Sequence, residues 1–199
     1  MVPTVEPRVY PAGMESLLVR GVGDRLDAGA RAQLREIGVD IDAPLAPGYR
    51  VEQWVAAVSI AGRAAFGALH PDPDDQVFQL GRALLGGLGQ TERGASLLRY
   101  ARVAGPRRTL AQLGTAMRAV NNYKDMELHD SPEGLVLEAR VFPRVLPRMI
   151  GLPIPSPHFI RGIAHACLEL AGAREISVAL RSHDPVARHT FYGVSFTSS

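Results

Sequence analysis

Apolar residues recur at steps of three and four through the first two-thirds of the chain, and this spacing is typical of amphipathic helices. Several of the patterns end at residues that favour left-handed or broken backbone, such as Gly38, Gly105-Pro106 and Asn121-Asn122. A further helix is predicted near the end of the chain, after Ser156-Pro157. The predicted helices cover residues 27–38, 51–69, 72–88, 92–103, 106–120 and 157–170. Helices of this kind need a common surface to pack on.

The last third of the chain alternates apolar and polar residues, which is the period of β-strands. Residues 123–128 and 135–141 form one predicted hairpin. Residues 175–180 and 190–196 form a second hairpin around Asp184-Pro185. We expect an α+β fold in which a helical layer packs on an antiparallel sheet.

The start of the chain has a weaker pattern. Residues 1–13 contain three prolines and no periodicity, which predicts a flexible arm. Residues 14–22 predict a short strand. Because a chain of 199 residues favours one hydrophobic core, residues 14–199 are expected to form a single domain.

Composition places the chain among ordinary globular proteins. Apolar residues make up 46% and charged residues 21%, which excludes wholesale disorder. No apolar run approaches the roughly 18 residues of a membrane span, and the first residues lack the basic flank and apolar block of an export signal. We therefore expect a cytoplasmic protein that does not insert into a membrane. The single cysteine, Cys167, excludes an internal disulfide and a multi-cysteine zinc site.

Basic residues are distributed unevenly. Of the 22 Lys and Arg residues only Lys124 is a lysine, as expected of a GC-rich genome, and segments 93–124 and 140–168 contain no acid. The positive electrostatic field of such segments could attract an anionic ligand, a nucleic acid or an acidic protein. Basic residues on solvated helix faces give the same sequence pattern. We predict no nucleic-acid partner, because the net charge is only +2 and few aromatic residues lie among the arginines.

The sequence contains no recognisable catalytic constellation. It lacks Gly-x-Ser-x-Gly, and Cys167 falls on the apolar stripe of its helix, where a buried and inert thiol is expected. His183, Asp184 and His189 flank the second hairpin loop, where they could surround a metal ion or form an ordinary polar turn. We predict no enzyme activity, no metal and no cofactor.

The turn Gly105-Pro106-Arg107-Arg108 is the sharpest local feature of the chain. It combines free backbone N–H groups at a helix start with the guanidinium groups of Arg107 and Arg108, which suits a phosphate or carboxylate. A well-capped surface turn has the same sequence. We predict anion binding at Arg107 and Arg108.

The order of several motifs resembles a known fold. Near the end, Phe159-Ile160-Arg161-Gly162-Ile163 is followed by residues 168–173, a strand, a loop and a final aromatic strand. This resembles the ligand-binding fold shared by four-vinyl reductase-type sensor domains, haem-nitric-oxide-binding domains and vesicle-tethering subunits. Over residues 14–196 the chain more closely resembles a paralogous family of myxobacterial proteins of about this length and of unknown function. The residues that carry this second resemblance are Arg20-Gly21, Trp54, Leu80-Gly81-Arg82, Gly105-Pro106-Arg107-Arg108 and Asn121-Asn122-Tyr123.

The resemblance implies a homodimer with an apolar pocket between helices and sheet. Haem-binding relatives use an axial histidine and a Tyr-x-Ser-x-Arg motif, which Tyr123-Lys124-Asp125-Met126-Glu127 does not supply. Arg107 and Arg108 are expected to meet any anionic end of the ligand. The predicted lining of the pocket is Trp54, Phe66, Met117, Tyr123, Phe159 and Ile163.

We therefore expect a non-enzymatic intracellular sensor or adaptor module. It would bind a small apolar or amphiphilic molecule between helices and sheet and signal through a protein partner. The alternative is a ligand-free scaffold for protein–protein interaction, which docks an acidic partner on its arginine-rich surfaces. The first hypothesis predicts an internal cavity, and the second predicts a filled core.

Overall fold

Helices form most of the chain before residue 120. The computed structural model describes residues 5–198, apart from the side chains of residues 93, 97 and 198. Side chains cap several helix starts, as Asp27 does by accepting the N–H of Ala30 at 2.7 Å. The α-helices are α1 (Pro11–Met14), α2 (Ala28–Glu36), α3 (Val51–Phe66), α4 (Pro73–Leu88), α5 (Glu92–Ala104), α6 (Pro106–Ala111), α7 (Leu113–Val120), α8 (Leu146–Met149) and α9 (Pro157–Leu170). The helix predicted over 106–120 is thus two helices, α6 and α7, joined at Gln112.

Four strands of the second half form an antiparallel sheet in the order β3-β4-β6-β5. The pairs Met126–Ala139 and Leu128–Leu137 place apolar side chains on the face that packs on the helices. The strands are β3 (Lys124–Ser131), β4 (Gly134–Val141), β5 (Ala173–Asp184) and β6 (His189–Ser198). Both predicted hairpins and the predicted α+β class are therefore confirmed.

The beginning of the chain is attached to the helical layer. Strand β1 (Arg8–Val9) pairs antiparallel with β2 (Tyr49–Arg50), and Val9 is buried in the core. The sequence predicts a flexible arm over 1–13, whereas the described part of that arm packs on the domain. Burial of an apolar side chain and the two-residue ladder hold it there. Residues 1–4 lie outside the described residues.

The strand predicted over 14–22 is wrong. A π-helix, Glu15–Gly21, continues directly from α1, and a short 3-10 helix, Gly23–Arg25, follows it. Ser16, Leu17 and Leu18 are all fully buried, whereas a strand with one exposed face would expose every second side chain. The segment packs on α4, and this enclosure favours a helix.

Helices α4 and α9 cross at unusually close range. A Cβ atom at Gly81 would overlap the carbonyl oxygen of Phe159, and one at Gly162 would overlap that of Phe78. Each helix therefore presents a glycine to a backbone carbonyl of the other. Because α9 also packs on β5, this crossing links the outer helices to the sheet. Within residues 5–198, no helix combines the length and the apolarity that crossing a membrane requires.

Candidate ligand-binding site

A cavity of about 20 Å³ lies where several helices meet the start of β3. We name it the central cavity. Trp54 and Phe159 meet edge to face in its wall, with ring centroids 5.5 Å apart. A cavity of this size admits about one water molecule. Its lining is Val9, Gly13, Trp54, Leu84, Met117, Val120, Asn121, Tyr123, Lys124, Pro155, Phe159 and Ile160.

A second cavity, also of about 20 Å³, lies among the helices. This helical cavity shares Leu84, Met117 and Val120 with the central cavity, so these side chains form the partition between the two. The Oγ atom of Ser16, in the π-helix, is buried in its wall and has no hydrogen-bond partner. The lining consists of Ser16, Leu84, Leu85, Leu88, Leu113, Ala116, Met117, Val120 and Ile163.

A third cavity, of about 10 Å³, lies on the other side of the central cavity. This cationic cavity shares Lys124 and Pro155 with the central cavity. None of its lining residues is acidic. They are Lys124, Val141, Met149, Ile154, Pro155, Pro157, His183, Arg188 and Thr190. The central and cationic cavities lie between helices and sheet and the helical cavity lies beside them among the helices; we name the three together the seam.

Lys124, the first residue of β3, separates the central cavity from the cationic cavity. None of the carboxylates in the described part of the chain forms an ion pair with its ammonium group. Burial and the positive charge of Arg188 lower the pKa of Lys124 from 10.5 to about 8. The lysine is therefore charged at neutral pH in surroundings that oppose its charge.

Arg188 lies in the turn between β5 and β6 and adopts a left-handed backbone conformation with φ of 56°. Its Nη2 donates to the carbonyl oxygens of Met149 and Leu152, the second at 2.7 Å. Its Nη1 is buried and has no hydrogen-bond partner. A buried donor without an acceptor is costly, and Arg188 lines the cationic cavity, so an acceptor that enters the cavity could pair with Nη1.

His183 and His189 do not meet across the hairpin, so they cannot share a metal ion with Asp184. His183 pairs with Thr190 and Asp184 pairs with His189, and neighbouring positions of a strand point to opposite faces. His183 lines the cationic cavity and contacts Thr190 Oγ1 at 2.9 Å through Nδ1. Burial and the charge of Lys124 lower the pKa of His183, which favours the neutral imidazole.

Five of the six predicted pocket residues lie on the seam. Ile163 lines the helical cavity, and four others line the central cavity, namely Trp54, Met117, Tyr123 and Phe159. Phe66 does not reach the seam, because it follows Trp54 by twelve residues on α3, about 18 Å along a helix axis. It lines a surface groove instead, with the guanidinium of Arg25 5.1 Å from its ring centroid.

Arg107 and Arg108 also lie away from the seam. Both side chains are exposed at the start of α6, and Arg107 forms an ion pair with Asp130 at 2.6 Å. Neither lines any of the three cavities. The helix start that carries them faces the tip of the β3–β4 hairpin, so these arginines cannot meet the end of a ligand in the seam.

The sequence does not predict the polar residues Lys124, Arg188, Thr190 and Ser16 of the seam. Lys124 had one signal, since it is the only lysine among 22 basic residues. Arg188 has no local signal, because its burial depends on the carbonyls of Met149 and Leu152. Ser16 falls in the segment for which the sequence predicts a strand.

A second polar cluster lies on the sheet face opposite the helices. Glu138 is buried and contacts Nε2 of His129 at 2.6 Å and Nε2 of His189 at 2.7 Å. Glu127, His129 and Glu138 place ligand atoms within 4.8 Å of one another, as a divalent ion would require. Arg140 already contacts both glutamates at 3.0 Å. The guanidinium of Arg140 is thus an ion-pair partner of both carboxylates, and the two imidazoles hydrogen-bond to Glu138.

Replacing Glu138 by glutamine is expected to destabilise the protein by about 2 kcal/mol at pH 7, because hydrogen bonds to a charged group are lost. Burial raises the pKa of Glu138, but His189, His129 and Arg140 together hold it below 4.5. The stabilisation by the Glu138 carboxylate is therefore present above pH 4.5. It is lost as the pH falls through the lower pKa that Glu138 has in the folded chain.

Urea unfolding at pH 7 and at pH 3.5 measures both effects. Glu133→Gln, at an exposed turn position, is the control and should change stability little. An unchanged stability of the Glu138 variant at pH 7 would contradict the assigned role.

The overall fold matches H-NOX structures. An H-NOX protein from S. oneidensis in the Fe(II)NO ligation state has a TM-score of 0.60 at 12% sequence identity, covering 95% of this chain and 99% of that chain. An oxygen-binding H-NOX domain related to soluble guanylate cyclases has a TM-score of 0.58 at 11% identity, covering 94% and 92%. A structure described for H-NOX activation reaches a TM-score of 0.61 at 10% identity, covering 96% and 97%. At these identities the likeness establishes an H-NOX-like fold.

The seam does not fit haem. Each of its cavities measures about 20 Å³ or less, whereas preformed small-molecule pockets occupy about 300–1,000 Å³, so a rigid macrocycle does not fit and any other ligand has to displace side chains. No histidine lines the central cavity. Asp125 and Glu127 stand where the haem-binding motif has its serine and arginine, and their carboxylates, paired with Arg118 and Arg140, have no donor for a propionate.

The family of the chain is shown by its sequence. No curated protein matches the chain. The sequence profile of the family described as "Protein of unknown function (DUF2378)" matches residues 8–194, which is nearly the whole chain. This match and the H-NOX-like fold cover the same helices, sheet and seam. The chain therefore belongs to the DUF2378 family of proteins of unknown function.

Proposed function

We propose that the chain is a non-enzymatic sensor or adaptor module that holds a small apolar or amphiphilic molecule in the seam. The observation that carries this proposal is the set of three neighbouring cavities, of which the central and cationic cavities lie between helices and sheet. The central cavity shares wall residues with each of the other two, so the same residues form the walls that separate them. An elongated molecule that moves these side chains would find an apolar passage with polar groups at both ends.

The partition between the central and helical cavities can yield to such a ligand. It consists of Leu84, Met117 and Val120, and methionine adapts readily because its side chain is unbranched and flexible. Ligand binding then selects a conformation in which the two cavities are joined. The unpartnered Ser16 Oγ lies at the helical end, where a ligand or a water molecule can bond it.

A ligand bound in the seam can change the protein surface through the helical cavity. A surface groove of about 420 Å³ shares Leu88 and Ala116 with that cavity. Tyr100, which is 42% exposed, lies in the same groove and offers an aromatic contact to a protein partner. Displacement of Leu88 by a ligand would therefore reshape a surface that a partner or a second copy of the chain can bind. We place this module in the cytoplasm, as a homodimer.

A non-catalytic role is supported by the state of the thiol. Cys167 is buried on α9, and burial raises its pKa to about 12, which leaves it protonated and unreactive. The hydroxyl–imidazole contact in the described lining of the seam, Thr190 Oγ1 with Nδ1 of His183, has no described third group that orients the imidazole as the base of a triad.

The second candidate function is a ligand-free scaffold. The small volumes of the cavities favour it, since a nearly filled core needs no ligand. In that case an acidic protein partner would dock on the arginine-rich segments, and binding would weaken as salt increases.

Fluorescence of Trp54 distinguishes the two functions. It is the only tryptophan of the chain and lines the central cavity. Titration with 1-octanol is expected to give a saturable emission change and a higher melting temperature. Val120→Phe fills the partition and should abolish the change, whereas Val103→Phe, at a position 90% exposed on α5, should retain it. Absence of any saturable change, together with no small molecule in the mass spectrum of the purified protein, would support the scaffold.

A further inference from the structure

We propose that the ligand of the seam is an apolar chain that ends in a carboxylate, and that this carboxylate binds between the ammonium of Lys124 and the free Nη1 of Arg188. The inference rests on the proposed function, because it names the chemical class of the ligand that the seam holds. It adds an anion-binding end to a passage that is otherwise apolar.

The first argument is an excess of positive charge without a counter-ion. Lys124 and Arg188 both line the cationic cavity, and no acidic residue lies in its described wall. Each cation opposes the other, and the charge of Arg188 depresses the pKa of Lys124. Buried charges in proteins are paired or are neutralised by a change of pKa. An anion that enters this cavity would supply a counter-ion to both Lys124 and Arg188.

The second argument is the unpartnered donor. Arg188 is 8% exposed, and its Nη2 is fixed by the carbonyls of Met149 and Leu152. These bonds hold the guanidinium in place and leave Nη1 buried without an acceptor. A rigid donor with no acceptor in a cavity wall is the arrangement of a preformed binding site. Its strained left-handed backbone is held by the same contacts.

The third argument is the order of polar and apolar walls. The central cavity, which meets the cationic cavity at Lys124 and Pro155, is lined mainly by apolar and aromatic side chains such as Trp54 and Phe159. A molecule with its charged end at Lys124 would therefore extend its apolar part past these rings. A carboxylate suits the two cationic groups, since it presents one oxygen to each. The cavity of about 10 Å³ also favours a small, planar group.

Binding of octanoate to the full chain tests the inference. Octanoate and 1-octanol have equal chain length, but octanoate ends in a charged carboxylate and octanol in a neutral hydroxyl. Trp54 emission reports the binding of both. We expect Lys124→Met to weaken the binding of octanoate by about 30-fold, because the charged partner of the carboxylate is lost. The affinity for octanol should not change. Arg108→Met, which removes an exposed cation outside the seam, is the matched control and should not change either affinity. Lys124→Gln, checked by circular dichroism, repeats the test with a polar neutral side chain.

The possible outcomes separate the two proposals. If octanol binds and octanoate binds no more tightly in the native chain than in the Lys124 variants, the carboxylate site is overturned and the sensor function stands. If neither binds and no small molecule co-purifies, the proposed function fails as well. If acetate or inorganic phosphate binds as tightly as octanoate, the site binds free anions. That result would contradict the proposal that the ligand carries an apolar chain. Stronger binding of octyl phosphate than of octanoate would overturn the choice of carboxylate.

Discussion

Replacement of Lys124 by methionine is expected to stabilise the ligand-free protein by about 2–3 kcal/mol at pH 7. The folded chain depresses the pKa of this lysine from 10.5 to about 8, and a tenfold change in proton affinity corresponds to about 1.4 kcal/mol. The full shift therefore amounts to about 3.5 kcal/mol, which solvent screening at this partly exposed residue reduces. Methionine has a similar length and removes the charge from this partly buried position without leaving a void. A stabilising substitution in a binding site is expected where the site keeps a group that serves a ligand rather than the fold.

The pH dependence of this effect has a defined sign. Between pH 8 and 10.5 the unfolded chain holds a proton on Lys124 that the folded chain has released, so the stability contributed by this group rises with pH. The groups that face it are Arg188 in the β5–β6 turn and His183 on β5. The difference between the methionine variant and the native chain should therefore shrink towards zero by about pH 10.

Urea unfolding at pH 7, 8.5 and 10 measures the unfolding free energy of both chains. In the difference between the two values, the contributions of groups that titrate equally in both chains cancel. The buried tyrosines Tyr123 and Tyr192, whose pKa values burial raises, belong to that common background. A variant less stable than the native chain at pH 7 would show that Lys124 has a structural partner.

Substitution of Gly81 by alanine is expected to destabilise the protein by about 3 kcal/mol. The added Cβ would overlap the carbonyl oxygen of Phe159 on α9, and neither backbone can move without separating α4 from α9. This loss exceeds the gain of up to about 1 kcal/mol that alanine brings to a helix interior. The variant should therefore unfold at clearly lower urea concentration.

Gly86→Ala on the same helix is the matched control. A Cβ at Gly86 meets nothing within 4 Å, so only the helix-propensity gain remains. We expect a stabilisation of about 0.5–1 kcal/mol at this position. Equal effects of the two substitutions would mean that the α4–α9 crossing does not depend on close approach at Gly81.

The periodicity of the sequence predicts the helices and the two hairpins well, because helix and strand patterns are local. It places α3, α4, α5 and α9 within three residues of their ends. The segment 14–22 is predicted wrongly, because its apolar residues fit a strand as well as a helix and only packing on α4 selects the π-helix. The resemblance to the haem-nitric-oxide-binding fold is confirmed. The resemblance to four-vinyl reductase-type domains stays a prediction.

The candidate site was predicted in its apolar part and missed in its polar part. Trp54, Met117 and Phe159 were predicted because large apolar residues on inward faces must meet between the layers. Phe66 lies on the same helix as Trp54 but at its far end, a distance that the pattern alone does not exclude. Arg107 and Arg108 have the sequence of an anion site, yet Arg107 binds Asp130 at the surface instead.

The sequence by itself determined the class of the fold, the order of its helices and hairpins and the apolar faces that meet, because these depend on residues close together along the chain. Only the tertiary structure decided where the cations of the seam lie, one of them buried and the other partly buried. Lys124 and Arg188 are 64 residues apart, and they meet because β4 and β6 bring the β5–β6 turn beside the start of β3. Burial and the absence of a described carboxylate in that wall are properties of the assembled layers. No local pattern encodes them.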